Sequence, residues 1–233
     1  MKLSLIIPCY NEAANLPLLL DRCKCLKLKK IDIEVILVDN GSTDNSPEVL
    51  QQLLPNYPHC RSIRVPVNQG YGYGILSGLK TATGDLLAWT HADMQTDPND
   101  VLRGIEIFTK YGNNIYVKGQ RIKRPLADVF FTIGMGIFET LLLRTSLWDI
   151  NAQPNMFSRY FFETWVNPPH DFSLDLYVYF TAKTQKMSVY RFPVEFGERA
   201  HGVSHWNINW GAKMKFILRT IDFSFRLRGR LSK

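Results

Sequence analysis

Short apolar runs alternate with longer amphipathic segments along most of the chain. The short runs predict strands at residues 3–7, 34–38, 62–65, 85–89, 115–118 and 187–196. The longer segments predict helices at residues 12–26, 46–53, 73–81, 98–111 and 172–184. Strands that alternate with helices are typical of βαβ units. We therefore expect an α/β fold in which helices flank a mostly parallel central sheet.

The apolar stretch at residues 127–143 contains Asp128, Glu139 and two glycines. It is too short and too interrupted for a bilayer span, which takes about 20 predominantly apolar residues. Two interpretations stay open: a helix buried in the core, or a helix that lies at a membrane or lines a lipid-binding groove.

Composition and cysteine pattern are those of an intracellular globular protein. Of the 233 residues, 45% are hydrophobic and 21% are charged. The first residues form a strand-like run rather than a secretory leader, so we expect a cytoplasmic location. Reduced thiols are expected for all four cysteines, because Cys9 lies in a buried-strand pattern and Cys23 and Cys25 have no partner pair at zinc-ligand spacing.

The net charge of +7 is concentrated at the end of the chain, where residues 212–233 carry seven Lys or Arg against one Asp. Apolar residues are mixed with these basic residues, which predicts a basic amphipathic helix within residues 207–233. Such a helix either lies on an anionic membrane, at about 1 kcal/mol per basic residue, or packs on the domain with a solvated basic face. A nucleic-acid recognition motif is missing, so nucleic acid is not an expected partner.

Polar loops follow the first two predicted strands, and ligands of open α/β sheets bind at such strand ends. The loop "PCYNE" (residues 8–12) offers an aromatic face and polar groups to a base and its sugar, although Asn11 could instead cap the next helix. In "VDNGSTD" (residues 38–44), Asp39 could accept hydrogen bonds from a base or ribose. Taken alone, however, this second loop is more often a capped turn than a binding site.

The loop after the third predicted strand is "NQGYGYG", residues 68–74. Its glycines superficially resemble the dinucleotide-binding fingerprint. Their spacing is GxGxG, however, and no acidic residue follows at the required distance in a first βαβ unit. These differences exclude a Rossmann dehydrogenase.

The fourth loop, "WTHADMQTDP" (residues 89–98), contains two candidate metal ligands, Asp93 and Gln95. Carboxylate and amide oxygens suit Mg²⁺ or Mn²⁺, and imidazole is tolerated better by Mn²⁺. If the strand continues past Trp89, His91 projects to the same side as both candidates. Taken alone, this pattern does not identify a metal site.

Together these motifs resemble the inverting family 2 nucleotide-sugar glycosyltransferases of the GT-A fold, and within them the dolichyl- or polyprenyl-phosphate sugar synthases. "LSLIIPCYNE", "VILVDNGSTD", "NQGYGYG", "TGDLLAWTHADMQTDP" and "KGQR" occur in the family's order and approximate spacing. Residues 172–205 look like the segment that closes the active site in the lipid-phosphate branch. The resemblance implies a GT-A domain over residues 1–206, followed by the basic helix of residues 207–233.

The resemblance also implies how a UDP- or GDP-sugar donor is held. Asp93 would bind a divalent metal, Mg²⁺ or Mn²⁺, on the donor diphosphate, with Gln95 as a further ligand. Arg199 and Ser204 match residues of a segment that approaches the diphosphate. The donor-binding residues would be Pro8, Tyr10, Glu12 and Asp39 at the nucleoside, with His91, Ala92, Arg199 and Ser204 beside them.

Two residues depart from the family pattern. His91 replaces the first Asp of the usual DxD motif, and His205 replaces a Lys that commonly follows the Ser of the closing segment. The second exchange removes a fixed positive charge beside the diphosphate. For His91 we predict a ribose-facing role or a role behind the metal ligands, because a neutral imidazole can donate to a sugar hydroxyl.

The acceptor determines which further residues the reaction needs. Arg121 of "KGQR" matches an Arg that is associated with the acceptor phosphate in the family. A lipid phosphate is already anionic and mainly needs such a cation, whereas a sugar hydroxyl needs a base, for which Asp175 or Asp171 is the candidate. Asp175 matches the family's Asp in the segment before the closing loop, which implies a base or a group that positions the acceptor. Asp171 could equally cap its helix.

We therefore expect an inverting glycosyltransferase whose acceptor is a polyprenyl phosphate or a membrane-associated glycan. Two rival hypotheses are kept. One is the same enzyme class with a soluble saccharide acceptor. The other is a non-catalytic nucleotide-binding scaffold, which the exchange at His91 motivates.

Overall fold

A seven-stranded sheet forms the centre of the molecule in the computed structural model, which describes residues 1–28, 31–202 and 210–231. The strands follow the spatial order β3-β2-β1-β4-β6-β5-β7. Their bounds are β1 Lys2–Cys9, β2 Asp32–Asn40, β3 Cys60–Val65, β4 Leu86–Trp89, β5 Ile115–Ile122, β6 Asn155–Ser158 and β7 Ser188–Glu195. The six predicted strands are thereby confirmed to within a few residues.

Eight α-helices occupy the described parts of the chain. They are α1 Leu16–Leu28, α2 Ser46–Leu53, α3 Tyr71–Thr81, α4 Val101–Tyr111, α5 Leu126–Leu143, α6 Arg159–Glu163, α7 Ser173–Thr184 and α8 Trp210–Leu231. Short 3₁₀ turns at Leu54–Asn56 and Pro98–Asp100 precede β3 and α4. Helix α1 begins later than predicted, because residues 11–15 form a turn in which Asn11 has a φ of 56°.

One strand of the sheet, β6, was not predicted. It runs antiparallel to β4 and β5, whereas the other strand pairs are parallel. All four of its residues are buried, so it lacks the alternation of apolar and polar residues that marks a half-exposed strand. The expected α/β fold with a mostly parallel sheet is confirmed.

Both faces of the sheet are covered by helices. Because neighbouring residues of a strand point to opposite faces, Leu5 and Ile7 of β1 pack in one core with α1 and α4. Ile6 packs in the other core, with α3 and α7. This double burial explains why the strands read as continuous apolar runs.

The parallel strands bring three predicted loops to one edge of the sheet. Strand β1 lies between β2 and β4, so the loops that follow these three strands emerge side by side. None of the helices in the described ranges combines the length and the hydrophobicity that a membrane span requires.

Candidate active site

The first two loops are tied together through Asn11. Its Oδ1 accepts hydrogen bonds from the backbone N–H of Thr43 (2.8 Å) and of Asp44 (3.3 Å). The backbone N–H of Asn11 donates to Ser42 Oγ at 3.0 Å. Asn11 thus joins two loops, and this contact replaces the helix-capping role that the sequence left open. A surface pocket beside the junction is lined in part by Asn11, Glu12, Asn15, Asp44 and His201.

Asp39 lies where expected, at the end of β2, and its side chain is buried. One carboxylate oxygen accepts the backbone N–H of Ser42 at 2.9 Å. The other faces the exposed guanidinium of Arg64, with Nε at 3.5 Å. Pro8 and Tyr10, at the end of the neighbouring strand, are partly buried beside this loop.

The predicted metal loop is a turn rather than an extended strand. Strand β4 ends at Trp89, and Met94 adopts a φ of 62°. Asp93 Oδ1 accepts the backbone N–H of Gln95 at 3.1 Å, which closes the turn. The expected alternation of His91, Asp93 and Gln95 along an extended chain is therefore not observed.

The predicted closing segment lies directly on this turn. Arg199 Nη2 is 2.8 Å from Asp93 Oδ2, and the Asp93 side chain is only 7% exposed. Gln95 Nε2 donates to the carbonyl oxygen of Gly197 at 3.1 Å, and the N–H of Gly197 donates to the carbonyl oxygen of Gln95 at 2.9 Å. Both predicted metal ligands thus contact one segment. Ser204 and His205 lie outside the described residues.

Glu12 belongs to the same neighbourhood. Burial raises the pKa of its carboxyl, the nearby Asp93 raises it further, and the hydrogen bond from Asn15 and the charge of Arg199 lower it. Arg199 therefore acts electrostatically on two carboxyl groups, those of Asp93 and Glu12. A cation at this position compensates negative charge that would otherwise accumulate in a partly buried site.

His91 and Ala92 are positioned differently from each other. The His91 ring tilts against Tyr71 with 5.7 Å between ring centroids, and Tyr71 stacks on Phe172 at 4.6 Å. Ala92 is buried and packs in the core that contains α1 and α4. Its methyl group packs in the core, so a donor would contact its backbone, and donor binding by Ala92 stays a prediction.

Arg121 is held by a residue that the sequence did not single out. Asp149 accepts hydrogen bonds from the Nε (2.8 Å), the Nη2 and the backbone N–H (2.9 Å) of Arg121. Burial raises the pKa of the Asp149 carboxyl, but the Arg121 guanidinium outweighs burial and holds this pKa below its usual range. Arg121 also borders an apolar pocket, whose lining includes Phe131, Met135, Ile150, Phe172, Leu176 and Thr220.

The two candidate bases are both engaged in other contacts. Asp171 Oδ1 accepts the backbone N–H of Ser173 at 2.9 Å, so it caps the first turn of α7. Asp175 is 1% exposed and accepts hydrogen bonds from Gln153 Nε2 (3.0 Å) and Asn155 Nδ2 (2.8 Å). A general base has to reach the proton that it removes. The carboxylate of Asp175 is buried among these partners, and its role as a base stays a prediction.

Residues 149–155 form the part of the site that sequence reasoning missed. This polar segment supplies Asp149 to Arg121, and Gln153 and Asn155 to Asp175. Lys118 of β5 is completely buried against the same segment. A polar run "DINAQPN" between two apolar stretches was the available signal, because buried polar groups need partners.

Comparisons with known proteins are consistent with this geometry. The family model described as glycosyl transferase family 2 matches residues 4–172, well over half of the chain. The chain belongs to glycosyl transferase family 2. The family expected from the motifs is thereby confirmed.

Curated relatives of this family 2 chain include bacterial lipid-phosphate enzymes. The undecaprenyl-phosphate 4-deoxy-4-formamido-L-arabinose transferases of Yersinia enterocolitica and Yersinia pestis are each 38% identical to it over 109 residues. The alignments cover 46% of this chain and 33% of each relative. The family 2 chain thus spans about a third of the length of the curated relatives that it matches.

Solved structures with the same fold align with nearly the whole family 2 chain. A mannosyltransferase from Pyrobaculum calidifontis, in complex with GDP-Man and Mn²⁺, has a TM-score of 0.69 at 18% identity, covering 97% of this chain and 64% of that one. Glucosyl-3-phosphoglycerate synthase from Mycobacterium tuberculosis, in complex with UDP, has a TM-score of 0.75 at 16% identity, covering 98% and 80%. The family 2 chain therefore has the expected GT-A fold.

Proposed function

We propose that this chain is a metal-dependent glycosyltransferase that moves a sugar, with inversion, from a UDP- or GDP-sugar to a polyprenyl phosphate. One observation carries the proposal: Arg121 borders an apolar pocket that reaches the loop of Asp93 through ring contacts. Phe172 of this pocket stacks on Tyr71, which lies against His91 of that loop. A site of this kind can take a nucleotide diphosphate at one end and an apolar phosphate ester at the other. The Yersinia relatives named for undecaprenyl phosphate support the acceptor, and the neighbour bound to GDP-Man supports the donor.

The residues of the metal loop fit Mg²⁺ or Mn²⁺. The carboxylate of Asp93 and the amide oxygen of Gln95 are hard oxygen ligands. Among the described residues no group of three or more His, Cys, Asp or Glu could hold a metal, so donor phosphate oxygens and water would complete its shell. Neighbours of the same fold that contain Mn²⁺ or Mg²⁺ support this assignment. Bound metal would help to neutralise the charge on the leaving diphosphate.

Arg199 would also help to neutralise the charge on the leaving diphosphate. Its guanidinium already contacts a buried carboxylate, that of Asp93, through Nη2. Its Nε is buried and has no hydrogen-bond partner among the residues that the structure describes. A diphosphate oxygen would satisfy this Nε. Preorganised cations of this kind stabilise charge that develops in a transition state. We accordingly keep Arg199 as a donor-binding residue.

The engagement of both candidate bases favours an acceptor that needs no deprotonation. Asp171 caps α7, and Asp175 is buried behind Gln153 and Asn155. A phosphate ester is anionic near neutral pH, so it can attack without a base once a cation has positioned it. Arg121 would be that cation.

Helices α5 and α8 offer a surface that suits contact with a membrane. The large exposed apolar residues of α5 are Leu126, Phe130, Phe131, Ile137 and Leu141, and those described on α8 are Met214, Leu218 and Phe225. Phe131 lines the pocket beside Arg121. The other positions within each helix lie four, seven, eleven or fifteen residues apart and so share one face. Arg219, Arg226 and Arg228 are exposed on α8. We propose peripheral binding at the cytoplasmic face of an anionic membrane.

A transfer assay tests the proposal directly. The protein is incubated with a panel of UDP- and GDP-sugars, with Mn²⁺ or Mg²⁺, and with undecaprenyl phosphate in vesicles or a soluble saccharide. We expect transfer to the lipid phosphate only. Absence of transfer, of donor hydrolysis and of nucleotide binding would contradict the proposal, and transfer to the saccharide alone would favour the rival acceptor.

The scaffold hypothesis predicts a different result in the same assay. A scaffold would bind nucleotide but transfer no sugar with any metal or acceptor. The exchange at His91 motivates this alternative. Binding of nucleotide measured by calorimetry, combined with absent turnover across the whole panel, would establish it.

A further inference from the structure

A buried lysine and a buried carboxylate lie close together beneath the proposed site. Lys118 is 0% exposed, and its Nζ donates hydrogen bonds to the carbonyl oxygen of Ala152 (2.7 Å) and to Asn155 Oδ1 (2.7 Å). A fully buried ammonium is rare and needs compensation by polar partners or by an opposite charge. Both kinds of partner are present here.

Asn155 bridges the lysine to Asp175. Its amide oxygen accepts from Lys118 and from the hydroxyl of Tyr116, and its amide nitrogen donates to Asp175 Oδ1 at 2.8 Å. Because ammonium groups only donate and carboxylates only accept, a single orientation of the amide satisfies both neighbours. Gln153 adds a second amide donor to Asp175 at 3.0 Å. The five side chains form one connected polar network.

The electrostatics of the two ends are complementary. Burial lowers the pKa of Lys118 to about 7, and the charge of Asp175 opposes this shift. Burial also raises the pKa of Asp175, and the charge of Lys118 opposes that shift in turn. Each group therefore stabilises the charged form of the other. Removing one partner of such a pair leaves an uncompensated buried charge, which is more costly than removing both.

The network connects the two halves of the site through residues 149–155. At one end of this segment, Asp149 binds Arg121. At its other end, Gln153 and Asn155 contact Asp175. Gln153 Nε2 also donates to the hydroxyl of Tyr71 at 3.3 Å, and Tyr71 adjoins His91. Displacing the segment would therefore move the guanidinium that faces the acceptor.

We propose that Lys118 and Asp175 are a positioning pair, bridged by Asn155, which holds residues 149–155 in place and thereby sets the position of Arg121. In this role Asp175 is the counter-ion of Lys118 and does not accept a proton from the acceptor. The assignment rests on the proposed function, in which Arg121 binds the acceptor phosphate.

A double-mutant experiment separates this role from that of a base. The variants are Lys118→Met, Asp175→Asn and their combination. The matched control is the exposed pair Lys24 and Asp21, changed to Met and Asn in the same three combinations. Farnesyl phosphate serves as a short polyprenyl phosphate probe, and its binding is measured by calorimetry beside nucleotide binding, sugar transfer and thermal unfolding.

We expect each single substitution of the buried pair to weaken farnesyl phosphate binding and transfer by about tenfold or more, because a buried charge loses its partner. Nucleotide affinity should stay within about threefold of the wild type, and the double variant should recover most of the acceptor binding, transfer and thermal stability. None of the control variants should change these quantities. Loss of acceptor affinity at constant nucleotide affinity is a result that general destabilisation would not produce.

Two results would overturn the pairing. In the first, Asp175→Asn binds farnesyl phosphate normally but transfers no sugar, and the double variant is equally inactive; Asp175 then acts as a base. In the second, the losses in thermal stability are additive and the double variant recovers nothing. If the wild type transfers no sugar at all, the proposed function fails, while probe binding and thermal unfolding still decide the role of the pair.

Discussion

The donor side and the acceptor side of the site are built in different ways. On the donor side, Asp39 lies at the end of β2 and Asp93 follows β4, the two strands that flank β1. Short local turns hold both carboxylates. On the acceptor side, Arg121 meets Asp149 and a pocket formed from parts of α5, α7 and α8. Local turns thus organise one half, and contacts between distant segments organise the other. The acceptor half should consequently be more sensitive to changes in buried partners.

The largest effect is expected on the donor side, from Asp93→Asn. Loss of the carboxylate removes the main candidate ligand of the metal, so we expect transfer to fall by roughly 10²–10³-fold. Mn²⁺ binding, followed by electron paramagnetic resonance, should weaken in parallel. Asp97→Asn is the matched control, because Asp97 is more exposed and pairs with Arg22. An unchanged Mn²⁺ affinity in Asp93→Asn would contradict the metal assignment.

Arg121→Gln tests the acceptor side in the corresponding way. We expect the KM for the lipid phosphate to rise and transfer to fall by about 10²-fold, because a charge-assisted contact with the phosphate is lost. The KM for the nucleotide sugar should stay unchanged. Arg22→Gln, on the exposed surface, is the control. Equal changes in both KM values would mean that the two halves are not separable.

Membrane contact is tested by the double variant Phe130→Ser and Leu141→Ser on the exposed face of α5. Removing two large apolar groups should lower partition onto anionic vesicles by at least about tenfold. Turnover with a water-soluble acceptor such as farnesyl phosphate should change little. The control exchanges Val67 and Leu18, which are exposed elsewhere, for Ser. If partition onto anionic vesicles falls equally in both double variants, the exposed face of α5 has no special role in membrane binding.

The smallest effect concerns the contact between α5 and α8, where Ser224 Oγ donates to the buried Glu139 at 2.7 Å. Burial raises the pKa of Glu139 to about 7, although the hydrogen bond from Ser224 opposes this shift. The carboxyl group of Glu139 therefore stays protonated up to a higher pH in the folded state than in the unfolded state. As pH rises from the ordinary carboxyl pKa towards 7, the free energy of unfolding should fall by about 3 kcal/mol.

Glu139→Gln removes that titration. Chemical denaturation at pH 5 and pH 8 should show a smaller difference for the variant than for the wild type, together with greater stability of the variant at pH 8. Glu48→Gln, on the exposed side of α2, should behave like the wild type. Equal pH dependence in Glu139→Gln and the wild type would refute this explanation.

The two halves of the site also differ in how well the sequence predicted the positions of their residues. Asp39 and Asp93 were placed correctly at strand ends, because burial patterns of strands are local and parallel strands end at one edge. Helix α7 shows the opposite case. From Leu174 to Phe180 every residue is buried, so the helix has no polar face from which the burial of Asp175 could be recognised.

The sequence by itself determined the family, the α/β architecture and the strand-end loops of the donor side, since these depend on periodicity and on short motifs. Only the tertiary structure decided that Asp149 holds Arg121, that Lys118 lies opposite Asp175, and that Arg199 contacts Asp93. Each of these contacts joins residues at least 28 positions apart or passes through a third side chain. Such contacts form because burial leaves a charged group only the partners that the fold brings to it, and no local pattern records which partners those are.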